Sequence, residues 1–405
     1  MKTLLILGAG PDQIPGILKA KEMGIYTIVL DGNENASGKD YSDEFYVVSI
    51  KHIEQIKSFI ETKLSKKVDG VIAFGVDIPY IIAQTAEFLG VNYTIDLECA
   101  KLSENKFDSK EFMKENSIAI PSYKLVKSIK DIREFTQVYG FPIVLKPVDN
   151  SAARGISFIQ DLENIEKYYD YALEFSNQKK VLVEKYLNGP QISTESFVID
   201  GEIYNIGFSD RNYDDMENFL PNIIENGGDL PSLYMKENHK RELKEYLFLI
   251  AKKLNIKNGV IKGDIVIYED ELHIIEFALR LSGGNFSTVE IPESTGIDFI
   301  KIAIKLHMNM KVTKDELEYK RNDFISLRYR FVDKNHSGII RSIDNLEYDK
   351  NILLSTFHAK VGDRVNSKTT DHSKRLGFAL AKGDSREDAI LNAQNFLEKV
   401  KITFE

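Results

Sequence analysis

The chain has 405 residues, 43% of them hydrophobic, with a single cysteine and a formal net charge of −9. That length holds two or three domains and that apolar share builds a real core, which excludes a disordered chain. The acidic balance excludes a general binder of nucleic acid or anionic membrane, since both need a positive footprint; a phosphate or carboxylate ligand would need a local positive site.

Cys99 has no partner for an internal disulfide, and no Cys/His cluster has zinc-site spacing, so a cytoplasmic location is expected. The run Thr3–Leu7 is too short for a signal peptide, and no apolar run approaches the roughly 20 residues of a membrane helix.

In chain order, an apolar run at residues 3–7 ends in Gly8-Ala9-Gly10, and helical periodicity resumes through Ile14, Ile17, Leu18 and Met23. Further apolar runs lie at Tyr26–Leu30 and Val68–Phe74. Apolar strands alternating with helices predict a parallel α/β sheet covered on both faces, over about residues 1–100. The turn at Gly8, with Asp31 ending the next strand, invites a dinucleotide reading. Gln13 occupies the place of the third small residue, however, and Pro11 removes an amide, so a structural or substrate-facing turn is expected.

An α+β pattern follows. A charged helix at 105–116 precedes strands at Tyr123–Val126, Pro142–Lys146, Ile156–Phe158 and Val181–Glu184. Residues 190–310 add strands at Ser193–Ile199, Glu202–Phe208, Gly263–Tyr268 and Leu272–Ala278, with helices near 236–255 and 295–308. Asp200-Gly201 and Glu269-Asp270 have the composition of hairpin turns. The tail, 320–405, alternates again and closes with a helix through Ala389, Ala393 and Leu397.

Four segments are unlike ordinary core. Lys146 ends an apolar strand before Pro147; alone, such a lysine is more often a snorkelling surface residue. Ser151-Ala152-Ala153-Arg154-Gly155 follows it, and small residues let backbone amides approach phosphate oxygens. In Val181–Leu187 a strand ends in Glu184-Lys185-Tyr186-Leu187, an extended link whose backbone can hold a base; Glu184 or Glu195 can accept from an amino group or a ribose hydroxyl. Finally, Asp264 and Glu276 lie in two apolar strands joined by the acidic turn. If those strands pair, the carboxylates reach one face, at a cost of several kcal/mol unless a cation such as magnesium compensates. Arg280 and a Ser282-Gly283-Gly284 turn lie just beyond, as a transferring phosphoryl group requires.

With these residues in order, the chain resembles the ATP-grasp superfamily of carboxylate–amine ligases over nearly its whole length. The N-terminal turn and the closing Gly383–Ala389 segment are similar to the branch of purine-biosynthesis ligases, carbamoyl-phosphate synthase and L-amino acid ligases. The resemblance implies an N-terminal α/β domain (1–100), a central ATP-grasp domain (101–310, lobes about 115–185 and 186–310) and a C-terminal lobe (311–405). It implies ATP and Mg2+ (with Mn2+ as a substitute) as cofactors. Lys106 and Lys146 would sit on ATP phosphates, Ser151, Ala152, Ala153, Arg154 and Gly155 in a flexible lid, and Glu184, Lys185, Tyr186 and Leu187 at adenine. Glu195 would sit at the ribose, Asp264 and Glu276 at the metal, and Arg280 on an acyl phosphate, with Lys146 and Arg280 catalytic. Many members carry asparagine two residues after the second metal glutamate; here Ala278 stands there.

The expected activity is activation of a carboxylate as an acyl phosphate and its coupling to an amine. The expected partners are small-molecule substrates, with no nucleic acid or membrane and with a homodimer as the default assembly. Arg211, Arg328 and Arg330 are candidates for holding the carboxylate, with solvated surface an equally good reading of each. Three alternatives remain: acyl-phosphate chemistry on bicarbonate or formate, a nucleotide-binding protein without turnover, and an oxidoreductase resting on residues 8–31 alone.

Overall fold

The computed structural model describes residues 1–333, 336–344 and 350–405; the parts of the expected tail at 334–335 and 345–349 lie outside the described residues. Thr3–Leu7 is one of two inner strands of a four-stranded parallel sheet, between Tyr26–Asp31 and the edge strand Gly70–Ile72, with Glu44–Val47 on the other edge. Its apolar sequence has a reason: Leu4 and Ile6 pack with Ile17 on one side, Leu5 and Leu7 with Ile56 and Phe59 on the other. The expected strand Val68–Phe74 is shorter, Gly70–Ile72. The edge strand Glu44–Val47, a short run of Phe45, Tyr46 and Val47 after acidic residues, was not singled out in the sequence.

A second sheet is antiparallel, in the order Tyr123–Val126, Val181–Lys185, Ile143–Pro147, Ser157–Ile159. Helices Ile129–Tyr139 and Ile165–Glu174 cover one face through Ile132, Phe135, Ile165 and Ala172, which pack on Ile143, Leu145, Val181 and Val183. Because strand side chains alternate, Val144, Lys146 and Glu184 are left for the opposite face.

That face meets an eight-stranded antiparallel sheet. Its order is Glu271–Ala278, Gly259–Tyr268, Gln191–Ile199, Glu202–Asn212, Gly227–Leu230, Phe324–Arg330, Gly377–Gly383, Ile352–Phe357. Both expected hairpin turns form, with φ of +51° and +83° at Asp200-Gly201 and +52° and +64° at Glu269-Asp270. Helix Glu237–Lys253 packs on one face through Leu243, Leu247 and Ile250. Helix Phe299–His307 packs on the other, Phe299 stacking on Phe197 at 4.1 Å, and shares a core with the N-terminal sheet. The sheet runs on through three tail strands, past residue 310 where the sequence placed a boundary. Among the described residues no helix is long and apolar enough to cross a membrane.

Candidate active site

A cleft of about 620 Å³ opens between the four-stranded antiparallel sheet and the eight-stranded sheet, with Gly75–Asp77, the loop after strand Gly70–Ile72, at one side. At its centre, strands Gly259–Tyr268 and Glu271–Ala278 place Asp264 directly opposite Glu276. The register shifts just after this pair, leaving Ile275 without a cross-strand partner. The bulge aims Glu276 at the cleft, and the Ile275 carbonyl accepts a hydrogen bond from Lys110 Nζ at 3.0 Å.

Cations surround the pair. Lys262 Nζ is 2.6 Å from Asp264 and 3.9 Å from Glu276, Lys106 Nζ is 3.2 Å from Glu276, and Arg211 is 3.5 Å from Asp264. Burial works to raise both carboxyls, but the ammonium of Lys106 holds Glu276 well below its usual range, and Lys262 and Arg211 hold Asp264 down. Both are therefore carboxylates. Among the described residues no cluster of three or more His, Cys, Asp or Glu forms a metal cage. Two ionised carboxylates in a cationic cleft fit a hard ion that takes its remaining ligands from phosphate oxygens and water.

Lys146 and Lys110 both reach Glu184, at 2.7 and 2.5 Å, and all three side chains are buried. Burial lowers the ammonium of each lysine, and the Glu276 carboxylate only partly opposes this against the repulsion of Lys106. Lys110 went unnoticed in the sequence because a lysine in a charged helix, Lys106–Glu115, reads as solvated; it is 1% exposed. Beyond Glu184, Tyr186, Leu187, Val144, Ile156, Val266 and Ile275 line a slot that is mostly apolar. The Lys185 ammonium turns away to donate to the Phe141 carbonyl at 2.7 Å.

Ser151, Ala152 and Ala153 roof the cleft, with Ala152 and Ala153 at φ +56° and +61° and Gly155 at +74°. Arg154 is not aimed into the cleft: it folds back onto Asn150 Oδ1 at 3.0 Å and Ser151 Oγ at 3.3 Å. The His372 N–H donates to the Ala152 carbonyl at 3.1 Å, joining the roof to the tail.

Glu195, expected at a ribose, lies fully buried beneath the Ser282–Asn285 turn, where Oε1 accepts from the Ser282 N–H at 2.9 Å. It faces the turn because Glu195 shares the cleft face of the sheet with Lys262, its cross-strand partner, and the turn covers that end. Arg280 reaches the cleft wall, its Nε donating to Asp77 at 2.8 Å.

Of the three arginine candidates, Arg211 lines the cleft and forms an ion pair with Glu225 at 2.9 Å. Arg328 faces the rear of the sheet, making bonds of 2.9 and 3.0 Å to the two oxygens of Asp229, and Arg330 reaches Asp333 at 3.4 Å. Sequence reasoning missed Arg375, which stacks 3.5 Å over the Tyr329 ring and donates to the Glu225 carbonyl at 2.6 Å. At the N-terminal turn Asp31 accepts from the Ala9 N–H at 2.8 Å, and Gln13 donates to the Phe74 carbonyl at 2.6 Å. Gly16 packs against the Phe74 ring, so these residues serve the fold.

A family model described as carbamoyl-phosphate synthase L chain, ATP binding domain, matches residues 105–314. A second, described as L-amino acid ligase C-terminal domain 2, matches residues 330–405. The carbamoyl phosphate synthase large chain of Archaeoglobus fulgidus is 26% identical over 341 residues, which are 79% of this chain and 30% of that protein. The large chain of Clostridium acetobutylicum is 25% identical over 332 residues, 75% of this chain and 29% of that one. The chain thus spans about 30% of the length of these curated relatives. Among solved structures, L-amino acid ligase from Bacillus licheniformis superposes with a TM-score of 0.82 at 17% identity, covering 100% of this chain and 99% of its own. Phosphoribosylglycinamide synthetase from Anaerococcus prevotii gives 0.75 at 18% identity, covering 100% of both chains. The biotin carboxylase domain of Hydrogenobacter thermophilus 2-oxoglutarate carboxylase, solved with MgADP and bicarbonate, gives 0.75 at 17% identity over 99% and 90%. At such identities these structures share the fold alone. The first family match takes in more than half of the chain. On that match, and on the architecture above, the chain belongs to the carbamoyl-phosphate synthase L chain ATP-binding domain family and has the ATP-grasp fold.

Proposed function

We propose that the protein is an ATP- and magnesium-dependent ligase that activates a carboxylate as an acyl phosphate and couples it to an amine. The observation that carries this reading is the cross-strand pair Asp264–Glu276 in a cleft where Lys106, Lys146, Lys262, Arg211 and Arg280 converge. Asp264 and Glu276 would hold magnesium, which supplies charge neutralisation for the phosphoryl group in transfer. Lys106 and Lys146 bind phosphate oxygens, Glu184 keeps Lys146 aimed, and the 184–187 link with its apolar slot takes adenine.

The substrate carboxylate attacks the γ-phosphorus, forming an acyl–oxygen–phosphorus link as ADP leaves. Arg280, anchored by Asp77, faces the charge that develops. The roof at Ser151–Ala153 keeps water from the acyl phosphate. A neutral amine then attacks the acyl carbon, phosphate departs, and the amine's surplus proton goes to solvent. The match of residues 330–405 to an L-amino acid ligase domain favours an amine acceptor over bicarbonate, because that segment supplies His358, His372, Arg375 and Phe378 to the cleft.

The test is an ADP-release screen of amino acids and small carboxylates in pairs, with magnesium, and with bicarbonate and formate as separate arms. Release that requires both a carboxylate and an amine supports the reading. Release with bicarbonate alone replaces it, and ATP binding without release in any arm reduces the protein to a nucleotide binder. Glu276→Gln should abolish turnover while circular dichroism stays unchanged.

A further inference from the structure

Past Arg211 the cleft continues into a hollow that the ligase chemistry leaves unused. Its wall is the π-helical turn Phe286–Glu290, and its floor is strand Gly227–Leu230. Gly228 sits opposite Arg211 on one neighbouring strand and Leu327 on the other. A side chain there would stand 2.8 Å from Ser209 Oγ and 3.9 Å from Glu290 Oε2, so its absence opens the space. Glu290 lines the cleft and is 2% exposed. Among the described residues its carboxyl has no hydrogen-bond or ion-pair partner.

An ionised carboxylate with so little exposure and no donor is disfavoured. The charges around it add to this: Glu225 from the preceding loop, itself paired with Arg211 at 2.9 Å and Arg375 at 3.9 Å, and Asp229 behind the floor are negative, Arg328 opposes them from behind the sheet, and Tyr329 stands beside it. Burial first, then these two carboxylates, push the Glu290 carboxyl well above its usual range and favour its protonated form. The Arg211 guanidinium, tied to Asp264 at 3.5 Å and Glu225 at 2.9 Å, stands between this acidic end and the phosphate end. The acidic end beyond Arg211 suits a positive group.

We propose that Glu290, with Gly228, Ser209 and Glu225 around it, is a specificity-determining subsite for an ammonium group carried by a substrate. The inference rests on the ligase reading. When an alkylammonium group enters, the Glu290 carboxyl gives its proton to the solvent and becomes the carboxylate partner of the cation. One proton is released per molecule bound, and no bond to carbon or phosphorus changes.

The test is calorimetric titration of the MgADP-loaded protein in two buffers of different ionisation enthalpy. The probes are L-alanine, propionate and L-alaninamide, which carry both groups, the carboxylate alone and the ammonium alone. Ammonium probes should bind wild type with release of about one proton. Glu290→Gln should abolish the release and weaken these probes at least tenfold, with propionate unchanged. Gly228→Ala, which keeps the carboxyl and fills the hollow, should weaken them likewise, and MgADP affinity reports that each variant's cleft is intact. Loss confined to L-alanine assigns the ammonium to the carboxylate substrate; loss confined to L-alaninamide assigns it to the acceptor amine. Absence of binding by either ammonium probe, or equal binding and proton release in wild type and Glu290→Gln, overturns the subsite. A protein that binds MgATP and releases ADP while Glu290→Gln is silent refutes the subsite alone; one that releases no ADP with any pair refutes the ligase reading.

Discussion

Glu184 carries two lysines at once, and its removal is the sharpest residue-level test of the cleft. Glu184→Gln removes the carboxylate that lies 2.5 Å from Lys110 and 2.7 Å from Lys146 in a buried cluster. Breaking a buried ion pair from one side costs about 3–5 kcal/mol, so denaturant titration at pH 7 should show a loss of that order. Glu195 makes a pH-dependent prediction. Burial raises its carboxyl from 4.5 to about 7, and the Ser282 N–H only partly opposes this. Between those values the native state keeps a proton that the unfolded chain has lost, so stability falls as pH rises, by up to about 3 kcal/mol above pH 7. Glu195→Gln should therefore be more stable than wild type at pH 8 by about that amount, with the gap closing at pH 4.5, as read by urea midpoints. An unchanged gap across that range contradicts the assignment. The metal pair was legible because carboxylates stand out in apolar strands. The place of Arg328 stayed open in the sequence because facing depends on strand parity, and nothing in the tail's composition fixes whether Tyr329 or Arg328 looks into the cleft.

Elements were legible where an apolar period was long, and lost where neighbours alone make the strand. Gly227–Leu230, Gly-Gly-Asp-Leu, has almost no intrinsic strand preference and is held by Glu202–Asn212 and Phe324–Arg330 on its two sides. Its glycines are what the cleft floor needs, so the signal that hid the strand is the one that shapes the site. Helix Ile14–Glu22 shows the same logic in packing. A methyl on Gly16 would come within 2.3 Å of the Phe74 ring, which a rigid aromatic cannot yield without moving the helix. Gly16→Ala should cost about 1–3 kcal/mol in thermal or denaturant unfolding while leaving MgADP affinity within twofold. In helix Phe299–His307, burial drives His307 down to about 4, although a protonated imidazole would favour a helix C-terminus. The unfolded chain binds that proton first, so stability should fall as pH drops from 6.5 toward 4, and His307→Gln should flatten the fall, measured by midpoints at pH 7 and pH 5.

For the whole molecule, the expected separation of a C-terminal lobe at 311–405 meets a sheet that does not stop there. Phe324–Arg330, Gly377–Gly383 and Ile352–Phe357 complete the eight strands, and helix Arg386–Lys399 sends Arg386 to Asp210 at 2.9 Å behind the cleft floor. Cutting the chain after residue 310 would leave Gly227–Leu230 as an open edge. The truncated chain should aggregate on size-exclusion chromatography and fail to bind MgADP; a soluble, nucleotide-binding fragment would show that the tail is dispensable. Such long-range pairing is invisible to local periodicity, because it depends on which distant strand arrives beside Gly227–Leu230.

The hydrogen bond from the His372 N–H to the Ala152 carbonyl works as a latch between the two ends of the mouth. It ties the small-residue loop over the opening to a segment remote in sequence, so the two are expected to move together. Changes near His372 would then be felt first in exchange rates, before any alteration in the bond-making step.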